Sequence, residues 1–218
     1  MISILDISPP RSGNTALLEP LKSTKPQVIS VAYNPSKSVR ADSVAVAYQV
    51  NRLTNIDTIF NLATRDMNRL ALQSHIIGAY MLGLENLIVV RGDKFTDEEQ
   101  KIVAEVNDTT TTELIKLITQ MNSGFDFKGL KLREPTNFCI GASIDLTTDT
   151  DKQVELTHRK FNAGAHFFIT QAVYDIGKIN EFREKLAKTG ISEESVPIFY
   201  GIQVLVPNGI YFGDIPES

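Results

Sequence analysis

The stretch of sequence that decides the fold is LATRDMNRLALQSHIIGAYMLGLENLIVVRGD, residues 62–93. Small and apolar residues recur within it at spacings of about three and four, which predicts a helix that begins near Asp66 and stops at Gly83. An unbroken apolar run follows at residues 87–90. Such a run predicts a strand buried on both faces, as in a parallel sheet covered by helices. The stretch therefore indicates one β/α unit.

Charged side chains come directly after both strands of this unit. Arg91 and Asp93 follow the second strand, and the first is followed by a polar group made of Arg65, Asp66, Asn68 and Arg69. Ligands of parallel α/β folds bind at the carboxyl ends of the strands. We therefore expect a binding site at this edge of the sheet.

The same alternation runs along the whole chain. Seven strand-like runs, with six helix-like stretches between them, lie at residues 2–6, 28–33, 58–63, 87–90, 138–144, 166–170 and 198–204. Strands separated by helices at this interval are typical of a (β/α)8 barrel or of a doubly wound open sheet. No GxGxxG turn follows the first strand, which argues against a dinucleotide-binding Rossmann unit and favours the barrel.

Helix boundaries are marked by capping signals. Thr110 with Glu113, and Thr150 with Gln153, have the spacing of a capping box, and Asn162-Ala-Gly-Ala predicts the end of a helix before the sixth strand. These signals define the helices that follow the fourth and fifth strands.

The length of the chain is short for a complete barrel. A barrel of this type takes about 250 residues and eight strands, whereas this chain has 218 residues. Only LVPNGIYFGDIPES follows Val204, which is too short for both a helix and a strand. We therefore expect one domain over residues 1–218, a TIM-type (β/α)8 barrel that lacks its last helix and eighth strand and is incomplete at its C-terminus.

Composition narrows the class of function. The net charge is −4, the pI is near 5.4 and no Lys/Arg block stands out, so we expect neither nucleic acid nor an anionic membrane as a partner. No stretch approaches the roughly 20 apolar residues of a membrane helix, and no leader is recognisable. The single Cys139 rules out an internal disulfide and fits a reducing compartment. These features predict a cytoplasmic protein that acts on a small molecule.

Metal chemistry is not predicted. The histidines His75, His158 and His166 are far apart and lack an HExxH motif. An acidic cluster without EF-hand spacing is interpreted as a loop leading into a helix: Asp145, Asp149, Asp151 and Glu155.

Several joined motifs occur in one order along the chain: Asp6-Ile-Ser-Pro-Pro-Arg, Ser30-Val-Ala-Tyr, Leu62-Ala-Thr-Arg-Asp-Met-Asn-Arg-Leu-Ala-Leu-Gln-Ser, Arg91-Gly-Asp and Asn162-Ala-Gly-Ala-His-Phe-Phe-Ile-Thr-Gln-Ala-Val-Tyr-Asp. In this order and at this spacing they resemble the methylenetetrahydrofolate reductase family, over residues 2–204. The resemblance implies an FAD-binding (β/α)8 barrel of one-carbon metabolism and methionine biosynthesis. It would pass hydride from NADH or NADPH through flavin to 5,10-methylene-tetrahydrofolate and give the 5-methyl product.

The resemblance also implies roles for single residues. Asp6 stands where the family has the glutamate that protonates the folate, and it is one methylene shorter. Asp93 corresponds to the family aspartate near the flavin pyrimidine edge and the pterin. Gln171 corresponds to the glutamine that binds the nicotinamide and the folate in turn. Asp6 is therefore the candidate catalytic residue, and Asp93 and Gln171 are the candidate substrate-binding residues.

Cofactor binding is implied at a further set of positions: Tyr33, Asn61, Arg91, Gly92, Asp93, Arg159 and Lys160. Asn61 departs from the family pattern, since many members have histidine there. Gly92 would let the backbone approach a ring closely, and the cations Arg159 and Lys160 would meet the FAD diphosphate. Direct hydride transfer from the nicotinamide, without tightly held flavin, stays open as an alternative.

Two other functions also stay open. One is a pterin- or phosphate-binding barrel enzyme that transfers no hydride. The other is a family-like subunit that binds a pterin or a partner protein without reductase activity. NADH and NADPH, tetrahydrofolate and tetrahydromethanopterin, and a monomer and a homo-oligomer are all compatible with the sequence.

Overall fold

The computed structural model describes residues 2–204. The chain divides into two compact units, Met1–Cys139 and Ile140–Ser218. Within each unit the strands pair in parallel and helices connect them, which confirms the predicted α/β fold of the TIM-barrel type. The prediction that the last helix and eighth strand are missing rests on residues 205–218, which lie outside the described residues. The single domain over residues 1–218 stays a prediction.

The first unit contains four parallel strands and the helices between them. The strands are β1 (Ile4–Ile7), β2 (Val28–Val31), β3 (Asp57–Ala63) and β4 (Asn86–Val90), and the helices are α1 (Ser43–Thr54), α2 (Arg69–Met81) and α3 (Thr111–Asn122). A 3₁₀ helix, Thr15–Ser23, stands where the sequence predicted the first α-helix. Pro20 lies inside this segment and cannot donate a backbone hydrogen bond, which disfavours a regular α-helix.

The second unit continues the alternation. Its elements are β5 (Cys139–Ile144), α4 (Thr150–Asn162), β6 (Phe167–Ala172), α5 (Ile176–Ala187) and β7 (Ile198–Gly201). The predicted end of α4 at Asn162 is confirmed, and the following Gly164 has the positive φ of 112° that lets the chain turn back toward β6. No helix within residues 2–204 combines the length and apolar character needed to cross a bilayer.

The core of the first unit lies between its strands and the helices that pack on them. Leu87 and Val89 in β4 are fully buried and Ile88 is nearly so, which confirms a strand covered on both faces. The Phe138 ring packs edge-on against Phe60, with ring centroids 6.2 Å apart. This continuous apolar packing holds the strand ends in fixed positions.

The helix that the sequence placed from Asp66 begins later. The N-cap of α2 is Asn68, whose side chain accepts a hydrogen bond from the Ala71 backbone N–H at 2.9 Å. Asp66 lies two residues before this cap and pairs with a neighbouring side chain instead. The predicted stop at Gly83 is close to the observed end, since α2 ends at Met81 and Gly83 has a φ of +80°.

Of the two predicted capping boxes, one is present. Thr110 and Glu113 exchange hydrogen bonds at 3.2 and 2.7 Å, so the box at α3 is confirmed. The box predicted at Thr150 and Gln153 is wrong, because the N-cap of α4 is Asp149, one residue earlier. Aspartate is as good an N-cap as threonine, and the residue spacing alone does not separate them.

Candidate functional site

Asp6 lies near the carboxyl end of β1, beside Ser30 of β2 in the strand register. The Ser30 hydroxyl donates a hydrogen bond to the Asp6 carboxylate. Burial raises the pKa of Asp6 above its ordinary 3.8, and this hydrogen bond opposes part of the rise. The side chain still reaches solvent, although its surroundings are dense enough to desolvate it. An accessible carboxyl that is hard to ionise is suited to giving a proton to a bound molecule.

Asn61 lies on β3 and carries an unsatisfied polar atom. Its side-chain Oδ1 is buried and has no hydrogen-bond partner among the described residues. Its backbone carbonyl accepts a hydrogen bond from the Ser43 hydroxyl at 2.8 Å, so the main chain is held in place. Leaving a buried acceptor unpaired costs about 1–3 kcal/mol. An N–H group of a ligand would recover this energy, which fits the predicted cofactor-binding position.

Arg65, two residues after β3, connects the loops that follow β3 and β4. The residue is almost fully buried, with 4% of its surface exposed. Its Nε and Nη2 donate to the two carboxylate oxygens of Asp66 at 2.6 and 2.7 Å, and its Nη1 donates to the Asp93 carbonyl at 2.5 Å. The guanidinium carbon lies 4.0 Å from the centre of the Phe95 ring. One side chain therefore fixes both loops.

Tyr33, two residues after β2, joins the same network. Its hydroxyl donates a hydrogen bond to the Asp66 carboxylate. Burial and the charge of Asp66 raise the pKa of Tyr33 well above its ordinary value, so the phenol stays neutral. Burial would raise the pKa of Asp66, but the hydrogen bonds and charge of Arg65 and the hydroxyl of Tyr33 outweigh it and lower that pKa. The loops after β2, β3 and β4 are thus linked by buried and half-buried polar groups.

The Arg91-Gly92-Asp93 segment follows β4. Gly92 has a φ of +89°, and a Cβ there would lie 3.2 Å from the Cβ of Arg65, so both conformation and space favour glycine. The side chains of Arg91 and Asp93 are exposed and form no hydrogen bond or ion pair with another described residue. Asp93 is therefore held by its backbone carbonyl while its carboxylate faces solvent.

A second anchor holds the loop after β2. Asn34, Ser36 and Lys37 all have positive φ, at 38°, 56° and 58°, which costs about 1–2 kcal/mol for each non-glycine residue. The Lys37 Nζ lies 2.6 Å from Glu99 Oε2 in the loop after β4. The hydrogen bond from Lys37 and those from the Thr96 backbone and side chain lower the pKa of Glu99 to about 2. This ion pair helps to hold the strained segment.

In the second unit, Gln171 lies near the end of β6. Its side chain is exposed and forms no hydrogen bond with any other described residue. An unpaired amide at the carboxyl end of a strand can both donate to and accept from a ligand. The position agrees with the substrate-binding role predicted for Gln171, which stays a prediction.

Arg159 and Lys160, at the end of α4, have different surroundings. Lys160 is only 6% exposed, and its Nζ donates to the Ser143 carbonyl of β5 at 2.6 Å. Burial, with a smaller effect from Arg159, lowers the pKa of Lys160 to about 8. The Arg159 side chain is 55% exposed and lies 3.8 Å from Glu155. The charge of Arg159 is therefore exposed to solvent, whereas the Lys160 ammonium is buried and hydrogen-bonded within the unit.

The structure adds contacts that the sequence did not predict to residues that it did single out. In the first unit it joins Asp6 to Ser30, and Tyr33 and Asp93 to the Arg65–Asp66 pair. The sequence signal that marked Arg65 was the charged dipeptide Arg65-Asp66 just after a buried strand. Among residues 2–204, no group of three His, Cys, Asp or Glu side chains is placed to hold a metal ion.

Comparisons with known sequences agree on one family. The family model described as methylenetetrahydrofolate reductase matches residues 3–207. The 5,10-methylenetetrahydrofolate reductase of Pectobacterium carotovorum subsp. carotovorum is 25% identical over 194 residues, covering 87% of this chain and 60% of the relative. Methylenetetrahydrofolate reductase 1 of Schizosaccharomyces pombe is 26% identical over 157 residues, covering 67% of this chain and 23% of the relative. The chain thus spans less than two thirds of the length of these relatives.

Solved structures share the fold at low identity. An uncharacterized protein from Clostridium thermocellum that binds two copies of 5-methyl-5,6,7,8-tetrahydrofolic acid superposes with a TM-score of 0.60 at 13% identity, covering 91% of this chain and 64% of that chain. DmoA from Hyphomicrobium sulfonivorans gives a TM-score of 0.57 at 9% identity, covering 92% and 59%. These likenesses show the fold alone.

Proposed function

Because the chain belongs to the methylenetetrahydrofolate reductase family, we propose that it reduces 5,10-methylene-tetrahydrofolate, or a related tetrahydropterin, to the 5-methyl form with hydride from NADH or NADPH. The observation that carries the proposal is Asp6, a carboxyl near the end of β1. Its side chain reaches solvent, but the dense surroundings desolvate it and raise its pKa. A protein of the same fold binds 5-methyl-5,6,7,8-tetrahydrofolic acid, which is the product of this reaction.

Asp6 is the proton donor in this proposal. The methylene bridge of the substrate has to open to an iminium on N5 before it can accept hydride, and the bond to N10 breaks more easily when N10 receives a proton. A raised pKa keeps more of the carboxyl protonated near neutral pH. The Ser30 hydroxyl holds the carboxylate in one orientation after the proton has left.

Asp93 and Gln171 are the proposed substrate-binding residues. The exposed carboxylate of Asp93 can accept paired hydrogen bonds from the amino-pyrimidine part of a pterin. The Gln171 amide can donate to one ring ligand and accept from another, which suits a site that receives nicotinamide and folate in turn. Neither side chain has to break a bond within the described residues before it binds.

FAD is the proposed cofactor, and a bound flavin would relay two electrons from the nicotinamide to the pterin. The buried, unpaired Oδ1 of Asn61 fits a ring N–H group, and Gly92 allows close approach of the backbone. The exposed Arg159 is available to an anion such as a diphosphate. Lys160 fits this role less well, since its ammonium already bonds to the Ser143 carbonyl.

The decisive experiment is an absorbance spectrum of the purified protein, followed by anaerobic addition of NADH or NADPH and then 5,10-methylene-tetrahydrofolate. A flavin band that is bleached by one nicotinamide and restored by the folate supports the proposal. Nicotinamide oxidation that depends on the folate but shows no flavin band supports direct hydride transfer. Absence of both contradicts reductase activity and favours the barrel enzyme without hydride transfer.

The role of Asp6 is tested by substitution. Asp6→Asn should lower methylene reduction by about 100-fold or more, because general acid catalysis contributes on that scale, while leaving any flavin reduction by nicotinamide intact. The matched control is Asp57→Asn, which removes a carboxylate at the amino end of β3, whereas Asp6 lies near the carboxyl end of β1. This variant should keep its activity. Equal turnover of Asp6→Asn and wild type would exclude Asp6 as the donor.

Asp6→Glu separates the reductase from a subunit that only binds. The longer side chain restores the residue type that the family resemblance places here, so turnover should rise. Tight binding of 5-methyl-tetrahydrofolate with no turnover in either the wild type or Asp6→Glu would support a pterin-binding subunit instead.

A further inference from the structure

The β6–β7 pair is irregular at one point. Ile169 pairs with Phe199, and the next paired residues are Ala172 and Gly201. Two residues of β6, Thr170 and Gln171, therefore stand opposite one residue of β7. This is the arrangement of a β-bulge, which bends a strand and redirects its side chains.

Thr170 and Gly201 hold this bulge from opposite sides. Thr170 is buried, and its hydroxyl accepts a hydrogen bond from the Gly201 backbone N–H at 2.9 Å. This bond occupies a backbone donor at the point where the regular pairing is interrupted. The Gly201 carbonyl in turn accepts from the Val173 N–H at 3.0 Å, so pairing resumes directly after the bulge.

The close approach of the two backbones requires glycine at position 201. A Cβ there would lie 2.8 Å from the Thr170 carbonyl oxygen and 3.2 Å from that of Gln171. Both atoms belong to the backbone of the bulge and cannot rotate away. Any larger residue would push β7 from β6 and stretch the hydrogen bond to the Thr170 hydroxyl.

From these contacts we infer that Thr170 and Gly201 are positioning residues: their hydrogen bond and close contact hold the bulge that sets the direction in which the Gln171 side chain leaves the strand. The inference rests on the proposed function where it concerns ligand binding. Gln171 is exposed and has no side-chain hydrogen bond within the described residues, so nothing in its own contacts orients it. The backbone of the bulge therefore sets the position from which the amide reaches a ligand.

Thr170→Val tests the inference, because valine has the same shape but no hydroxyl and leaves the Gly201 N–H without its acceptor. We expect the dissociation constant for 5-methyl-tetrahydrofolate to rise by up to about 10-fold, the worth of about one hydrogen bond. Thr170→Ser keeps the hydroxyl and should bind like the wild type. Thr157→Val, at a threonine of α4 that is equally buried, controls for the loss of a buried hydroxyl in the same unit.

A double-mutant comparison separates positioning from a general loss of structure. In a Gln171→Ala background there is no amide left to orient, so Thr170→Val should weaken binding little further. If Thr170→Val weakens binding by the same factor in both backgrounds, or has no effect in the wild type, the inference is overturned.

A readout without ligand keeps the inference distinct from the proposed function. Hydrogen exchange at the backbone amide of residue 201 and the NMR signals of the Gln171 side-chain amide should change in Thr170→Val and in Gly201→Ala. Both should stay unchanged in Thr170→Ser. If the wild type binds no reduced folate, the proposed function fails, and these signals still decide whether Thr170 and Gly201 hold the bulge. Unchanged signals in Thr170→Val would refute it.

Discussion

Arg65 and Asp66, neighbours in the sequence, form a bidentate ion pair in which both carboxylate oxygens accept from the guanidinium at 2.6 and 2.7 Å. Side chains of adjacent residues in an extended strand point to opposite faces, so this pair requires the chain to turn sharply after β3. The third guanidinium contact reaches the Asp93 carbonyl, 28 residues further along the chain. The turn after β3 and the loop after β4 are therefore formed together.

Replacing Arg65 should loosen both loops. Arg65→Lys keeps the positive charge, but the lysine ammonium cannot make the planar two-pronged contact with Asp66 or stack on Phe95 in the same way. We expect the free energy of unfolding to fall by about 2–3 kcal/mol, the scale of hydrogen bonds to charged groups. Urea denaturation measures it, and Arg52→Lys on the exposed side of α1 is the control, with a change below about 0.5 kcal/mol. Equal losses in the two variants would contradict the role of Arg65.

Gly92→Ala should be destabilising. Alanine is strained at a φ of +89°, and its Cβ would crowd the Cβ of Arg65 at 3.2 Å. Together these effects should lower the free energy of unfolding by about 1–2 kcal/mol. Gly78→Ala, in the middle of α2 with nothing within 4 Å of the new methyl group, should instead raise it by about 0.5–1 kcal/mol. Thermal unfolding of the two variants side by side checks that their changes in the free energy of unfolding have opposite signs.

The raised pKa of Asp6 makes a prediction about stability and pH. Because the folded state binds this proton more tightly than the unfolded state, the wild type loses stability as the pH rises from about 3.8 through the folded pKa. Asp6→Asn cannot ionise and should escape this loss. The difference in the free energy of unfolding between Asp6→Asn and wild type should therefore grow over that range and then level off. Parallel pH curves for the two proteins would show that Asp6 ionises as easily when folded as when unfolded.

The lowered pKa of Lys160 predicts that stability rises with pH at high pH, which is opposite to the trend for Asp6. Burial lowers its folded pKa to about 8, so between about 8 and its ordinary 10.5 the unfolded state binds more protons than the folded state. The stability of the wild type should therefore rise relative to Lys160→Met across this interval. Denaturant unfolding in alkaline buffers tests it, and a flat difference would mean that the buried amine keeps its ordinary pKa.

Much of the fold could be predicted because burial dictates the residue pattern. A strand covered on both faces needs an apolar run, as in Leu87, Ile88 and Val89, and such runs are visible without knowledge of the partner strands. The start of α2 was harder to predict. Asp66 and Asn68 are both acceptable caps, and the choice was made by Arg65, which takes Asp66 as its ion-pair partner.

The candidate site was only partly predictable, because its geometry depends on contacts between distant segments. Residues at strand ends, such as Asp6 and Asp93, follow from the strand pattern together with the family motifs. The contact of Arg65 with the Asp93 carbonyl and the bond of Thr170 to Gly201 follow from neither, since each joins residues about 30 positions apart through a backbone atom. Backbone N–H and C=O groups are common to nearly all residues, so residue type alone does not reveal such a hydrogen bond.

The hydrogen bond that anchors position 93 uses only the main chain, because Arg65 donates to the carbonyl oxygen and forms no hydrogen bond with the carboxylate. The atom that anchors the loop and the atoms proposed to bind the substrate are thus different atoms of one residue. The hydrogen bond that anchors the loop does not require an aspartate side chain at position 93, so substitutions there can vary the chemistry of the proposed binding site while that bond is kept.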